Sequence, residues 1–349
     1  MKRFSILILT LCLCLTGCGK QTTEATAQIF AMDTVMEVAA YGEHAEQAVK
    51  YTEKRIEELE NRLSRTKADS LVSGLNRDGS IRHLTYDYWN LIARAKEYRD
   101  ATNGAFDITI APVMDAWGFT GDSFRVPEQS ELDTLLKKVN SDAIQMLGSP
   151  SDSVTLGEGQ AIDLGGIAKG YTSDCVEAVF YDHEIENGKI SLGGNVFVLG
   201  TKPDGSDWRV GIKDPRNESG LAAILSLRDA YAITSGGYER YFEENGKSYH
   251  HIIDPATGYP ADSGLLSVTV VAADNGPDWA GAGNGTMCDA FSTALFVMGE
   301  EQALDFWRNG GYDFDLVLVT EDGRVVITAG LADRFEEVKD SGYTYETVS

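Results

Sequence analysis

The apolar residues of this chain switch repeatedly between an every-second-residue and a helical spacing, so neither an all-helix nor an all-strand packing can bury them. Residues 29–41 (IFAMDTVMEVAAY) alternate and predict a strand. Residues 43–63 place Ala45, Ala48, Val49, Ile56, Leu59 and Leu63 near helical spacing among charges, which predicts an amphipathic helix. Further helices are expected over 87–102 and over 130–139, the latter with Ser130 and Asp133 as a capping box. Short strands are expected at 161–164, 189–192, 196–199, 208–212, 223–227, 230–234 and 267–271, with helices from Ile167 and over 287–298. A closing hairpin is expected from 315–320 and 325–328, turned at Asp322-Gly323. The mixture implies an α+β fold, either a single large domain or two intimately packed lobes.

Composition narrows what such a domain can meet. The 349 residues carry 54 acidic against 30 basic side chains, a net charge of −24. Nucleic acids and anionic membrane surfaces are recognised through Lys and Arg, so neither is an expected partner. An anionic substrate would need local compensation from a cation, a helix N-terminus or a placed lysine. The first residues, MKRFSILILTLCLCLTGC, read as an export signal: a basic start, an apolar run too short to span a bilayer, then Leu15-Thr16-Gly17-Cys18. That tetrapeptide matches the lipobox, where cleavage precedes a cysteine that is then diacylated. The expected organisation is therefore a signal peptide over 1–17, a lipid-anchored tether over 18–28 starting at Cys18, a catalytic domain over 29–340 and a tail over 341–349. Cys175 and Cys288 are the two cysteines beyond Cys18, and both fall in expected helices with no basic partner apparent. Buried, free thiols are the expectation.

Three clusters carry chemistry. In Ala161-Ile162-Asp163-Leu164-Gly165-Gly166-Ile167-Ala168-Lys169-Gly170 a strand, a Gly-Gly turn and a helix start follow one another. Such a junction aims backbone N–H groups and a positive helix end at one point, which suits phosphate. Lys169 in the first helical turn opposes the macrodipole unless an anion sits nearby. Taken alone, the motif is as well served by a Lys169 in solvent and glycines that only make the turn. In the second cluster, Asp289 and Thr293 stand four apart on one helix face and offer hard oxygens of the kind Mg²⁺ takes. An Asp near a helix start also serves as an ordinary cap. In the third, Tyr249 to Gly258 (YHHIIDPATG), two adjacent histidines on a strand would face opposite ways. One of them could act as a general base.

Together and in this order these stretches are specific. The chain resembles the ApbE family of flavin transferases through AMDTVMEV (31–38), GAFDIT (104–109), AIDLGGIAKGYTSD (161–174), SLGGNVFVLG (191–200), TSGGYERYF (234–242), HIIDPATGYP (251–260) and DAFSTALFVMG (289–299). The resemblance implies a Mg²⁺-dependent enzyme that cleaves FAD and attaches FMN through a phosphoester to a Thr of another protein, releasing AMP. It implies Asp289, Thr293 and the backbone carbonyl of Gly166 as metal ligands, with Ser292 standing where some relatives carry an Asp. Met32, Ala105, Phe106, Asp107, Asp163, Lys169 and Ile253 fall where relatives contact FAD, and His251 is the implied catalytic base, beside Asp289. The implied acceptor carries a D-x-x-[ST]-[AG]-T-like motif, which this chain lacks, and the implied location is the outer face of the cytoplasmic membrane. Two departures stand out: Thr66 where relatives commonly have an aromatic residue, and a Gly-rich insertion over 275–285 that could form a lid. FAD pyrophosphatase activity and flavin binding without catalysis are the competing readings.

Overall fold

The computed structural model describes residues 23–121, 123–147, 153–217, 219–278 and 282–349, so Cys18 and the expected signal lie outside the described residues. A nine-stranded sheet organises them. Its strands run, edge to edge, Glu24–Ala31, Thr34–Tyr41, Asn187–Leu192, Asn195–Leu199, Ala230–Gly236, Leu265–Ala273, Asp315–Thr320, Arg324–Thr328 and Thr344–Val348. All neighbours are antiparallel except the last pair. Side chains alternate between two buried faces. Val268, Val270, Leu316 and Leu318 point into the core under the helices, whereas Val271, Val317 and Val319 point into a second core. The second core is closed by a three-stranded sheet, Phe335–Glu337, Leu221–Leu227 and Trp208–Lys213. Burial on both faces explains the near-continuous apolar runs of the central strands. Among the described residues no helix is long and apolar enough to cross a membrane.

Several expectations change here. The single strand over 29–41 is two strands, because Met32 (φ 50°) and Asp33 (φ 63°) form a left-handed turn between them. The sheet also takes in 24–28 and 344–348, segments expected to be tether and tail, so the folded unit runs past 29–340 at both ends. Residues 161–164 make no strand. The Asn76 side chain satisfies both the N–H and the C=O of Ile162, and Asp163 N–H donates to Ile108 O, so no neighbouring strand is needed. The capping box fails too. The helix is Gln129–Leu135, its N-cap is Glu128, and Asp133 instead accepts from Gln129. Cys175 does have a basic neighbour: Arg55 reaches across from helix Ala45–Leu63, 3.6 Å from Sγ. Burial still pushes that thiol up to about 11, and the fully buried Cys288 thiol is raised as well. Both cysteines are free.

Two helices position the site. The lysine helix, Ala168–Asp182, follows the Gly165-Gly166 turn, and the aspartate helix, Asn284–Met298, follows the insertion. They cross at their first turns, where Gly170 meets Gly285. A Cβ on Gly170 would collide with the Gly285 carbonyl, and one on Gly285 would lie 2.7 Å from Gly170 O. Two helix N-termini are thereby brought together beside the ends of the central strands.

Candidate active site

A single cavity opens where these elements meet. Its walls include the Met32–Thr34 turn, Ala105 to Asp107, Asp163 to Gly166, Lys169, Thr234 to Gly236, Arg240, His251 to Ile253, Asp289 and Thr293. Every residue expected at the site from the sequence therefore borders one space, although the segments are scattered along the chain.

Asp289 is not a cap for its own helix. It lies in the second turn of the aspartate helix, is 2% exposed, and its Oδ2 accepts from Gly170 N–H of the lysine helix at 2.8 Å. That one bond fixes the carboxylate at a positive helix end and leaves Oδ1 with no protein donor among the described residues. One helical turn on, Thr293 Oγ1 is 3.1 Å from Ser235 Oγ, which in turn is 2.8 Å from Ser292 Oγ. Ser292 also donates to Asp289 O, so its hydroxyl serves the helix and the strand behind it. Gly166 packs close to Thr293: a Cβ there would be 3.5 Å from Thr293 Oγ1. No group of three or more His, Cys, Asp or Glu side chains suited to a metal occurs among the described residues. One carboxylate, one hydroxyl and a backbone oxygen instead match the sparse protein ligation of Mg²⁺, which keeps waters and takes substrate phosphates as further ligands. The donor set fits that ion.

Lys169 lines the same cavity from the first turn of its helix, and no anionic partner neutralises it among the described residues. Its ammonium and two converging helix ends form an anion-attracting corner in an otherwise strongly acidic protein.

The two histidines differ in their surroundings. His250 is fully engaged: Nε2 lies 3.0 Å from Ala261 O, and Nδ1 accepts from Ile252 N–H at 3.2 Å. His251 faces the cavity, and its Nδ1 lies 3.1 Å from the carbonyl of Arg240. A carbonyl only accepts, so Nδ1 carries the hydrogen and Nε2 keeps a free lone pair. Burial, reinforced by the nearby positive charge of Lys169, lowers the His251 pKa to about 4. The imidazole is neutral, and basic at one defined atom, at physiological pH. The same Arg240 carbonyl accepts from His251 N–H at 3.0 Å, so this backbone atom sets both position and tautomer.

Elsewhere on the cavity wall, Asp163 Oδ1 accepts from Gly165 N–H at 2.8 Å and Oδ2 from Arg65 at 2.9 Å. Arg65 also pairs with Asp115 at 2.7 Å. The Asp107 carboxylate is consumed by the Thr109 and Ser141 hydroxyls and their backbone N–H groups, so it braces the 105–109 turn. Thr66 does not border the cavity; it is exposed, its hydroxyl 3.0 Å from Ser64 Oγ. Of the insertion, none of the described residues borders the cavity. Asn275, Gly276, Asp278 and 282–284 line a separate pocket with Glu177 and Tyr231. Sequence reasoning did not single out Arg240, Ser235 or Arg65. The first acts through a backbone atom that no side-chain pattern reports, and the other two act through groups distant in sequence.

Comparison with known proteins identifies the family. The ApbE family model matches residues 32–316. The FAD:protein FMN transferase of Treponema pallidum is 31% identical over 307 residues, covering 83% of this chain and 82% of that protein. That of Klebsiella pneumoniae is 33% identical over 294 residues, covering 82% and 86%. The crystal structure of the ApbE protein from Thermotoga maritima superposes with a TM-score of 0.77 at 30% identity, covering 91% of this chain and 97% of that one. Family model, relatives and fold converge: this chain belongs to the ApbE family.

Proposed function

We propose that this protein transfers FMN from FAD to the hydroxyl of a threonine on another protein, with Mg²⁺, releasing AMP. The observation that carries the reading is the convergence in one cavity of a free His251 Nε2, an unneutralised Lys169 and the open oxygens of Asp289 and Thr293. His251 Nε2 takes the threonine proton as the Oγ–P bond to the FMN phosphate forms. The bond from that phosphorus to the bridging oxygen breaks, and AMP departs. Phosphoryl transfer depends chiefly on positioning and charge neutralisation. Lys169 and the helix N-termini supply the protein's share. Asp289, Thr293 and the Gly166 carbonyl are the groups that would hold Mg²⁺, whose contribution there is further neutralisation of the phosphates. Met32, Ala105, Phe106, Asp163 and Ile253 shape the FAD-binding walls, and Asp107 holds one of them in place.

The acceptor in this reading bears a D-x-x-[ST]-[AG]-T-like motif. Lipid on Cys18 holds the enzyme at the outer face of the cytoplasmic membrane. The test is incubation with FAD, Mg²⁺ and a peptide containing Asp-x-x-Ser-Ala-Thr. A covalently fluorescent peptide and stoichiometric AMP are expected. Free FMN and AMP without labelled peptide would establish hydrolysis instead, and unchanged FAD would leave only binding.

A further inference from the structure

The two cradle helices share a pattern: Gly170-x-x-x-Asp174 in one and Gly285-x-x-x-Asp289 in the other. Across the crossing the relation is reciprocal. Gly170 N–H donates to Asp289 Oδ2 at 2.8 Å, and Gly285 N–H donates to Asp174 Oδ1 at 2.8 Å. Each helix thus carries the carboxylate that receives the other's first turn. The halves differ in what remains unspent. Asp174 also accepts from Gly283 N–H at 2.8 Å, Thr286 N–H at 2.9 Å and the Thr286 hydroxyl. Three of these four donors fall on Oδ2 and one on Oδ1, all four from the start of the aspartate helix, and Asp174 does not border the cavity. It cannot be a ligand. The aspartate helix has Gly283 at its N-cap and no side-chain cap of its own, so Asp174 is the group that pins its start.

We propose that Asp174 is a positioning residue for the metal site, acting through the aspartate helix. By holding the N–H groups of 283, 285 and 286 it fixes that helix in rotation and register against the lysine helix. That register points Asp289 Oδ1 and Thr293 Oγ1 into the cavity beside Gly166 and Lys169. The inference deepens the Mg²⁺ reading of Asp289 and Thr293 and rests on it.

The test measures Mg²⁺ affinity directly, by calorimetric titration of the FAD-loaded full chain, alongside FAD binding without metal by flavin fluorescence. Asp174→Asn keeps one acceptor oxygen and Thr286→Val removes a single donor, so both complement Asp174→Ala should the latter fail to fold. Removing a partner that orients a metal ligand typically weakens metal binding about 10- to 100-fold, and Asp174→Asn is expected in that range with metal-free FAD binding unchanged. Thr286→Val is expected to weaken Mg²⁺ less, in the same direction. A lowered melting temperature in Asp174→Asn with unchanged Mg²⁺ affinity would overturn the proposal and leave a purely structural cap. Asp289→Ala is the control for the underlying reading. If it leaves Mg²⁺ affinity intact, the metal assignment fails; if it abolishes binding while Asp174→Asn does not weaken it, only the present inference fails.

Discussion

Two groups of cavity residues are built on opposite economies of hydrogen bonding. In the first, each side chain is fixed through one atom and left free at another: Asp289 is held by Oδ2, His251 by Nδ1, and Lys169 by its helix alone. In the second, both carboxylate oxygens have protein donors, Asp163 from Gly165 and Arg65, and Asp107 from Thr109 and Ser141. A carboxylate held at both oxygens by the protein organises backbone, whereas one with an open oxygen in a low-dielectric cleft attracts a cation. Substitutions in the first group should therefore remove chemistry, and those in the second should alter binding.

The largest separation is expected at Asp289. Asp289→Ala removes the open oxygen and also strips Gly170 N–H of its acceptor, so FMN transfer should fall by at least about 10²–10³-fold, the scale of losing one preorganised electrostatic contact. Peptide labelling at saturating FAD and Mg²⁺ measures this, and Mg²⁺-dependent turnover retained by the variant would break the comparison at its strongest point.

Next comes His251. Loss of a general base costs about 10²–10⁴-fold, and His251→Ala should lie in that range while binding FAD nearly as wild type does. The pH profile distinguishes the base from a packing role. With its pKa held at about 4, below the ordinary 6.5, the imidazole stays neutral as pH falls through 6 and 5, so the acid limb of kcat should centre near 4. Stability moves the other way over the same interval. Between 6.5 and about 4 the unfolded chain binds a proton that the folded chain refuses, so His251 makes the fold less stable as pH drops. In His251→Ala this contribution to acid destabilisation should vanish.

Arg65 tests the second group. Its removal leaves Asp163 Oδ2 without its charged donor, and hydrogen bonds to charged groups contribute about 1.5–3 kcal/mol. Arg65→Ala should raise the KM for FAD by about tenfold or more with little change in kcat. A fall in kcat with unchanged KM would place Asp163 among the groups that act on the transferring phosphoryl.

What could be read in advance follows the same division. Asp289 and Thr293 at four-residue spacing, and Lys169 after the Gly165-Gly166 turn, are side-chain patterns on regular helices, so their convergence was legible once the order of motifs was recognised. The strands over 187–199 and 315–328 were legible because their apolar residues form runs bounded by turn signals. The remainder depended on tertiary partners. The 161–164 segment has strand composition, yet Asn76 supplies its hydrogen bonds. The turn at Met32-Asp33 lacks glycine, and nothing local marks left-handed backbone at a methionine. Arg240 matters through its carbonyl oxygen, which every residue possesses. Asp174 is visible as the second Gly-x-x-x-Asp only after Gly170 and Gly285 are known to touch.

The smallest expected effect falls on Thr66, and its sign carries the information. Thr66 is exposed, bonded only within its own turn to Ser64, and off the cavity wall, so nothing in the fold depends on its side chain. A larger residue there costs little. If the adenine half of FAD extends toward this turn, Thr66→Tyr supplies an aromatic ring there, and stacking on a base contributes about 1–3 kcal/mol. The expected result is FAD affinity tightened by about fivefold, at the lower bound of that range because the tyrosine must be ordered on an exposed turn. Melting temperature and kcat should not change. Fluorescence titration of FAD and AMP as separate ligands sharpens the reading: the gain should appear with both, because both carry adenine, and not with FMN. A gain with FMN alone would invert the orientation, placing the flavin ring near Arg65. No gain with any ligand would mean that Arg65 and Asp163 act there without a stacking partner, so that the departure at position 66 has no bearing on nucleotide recognition.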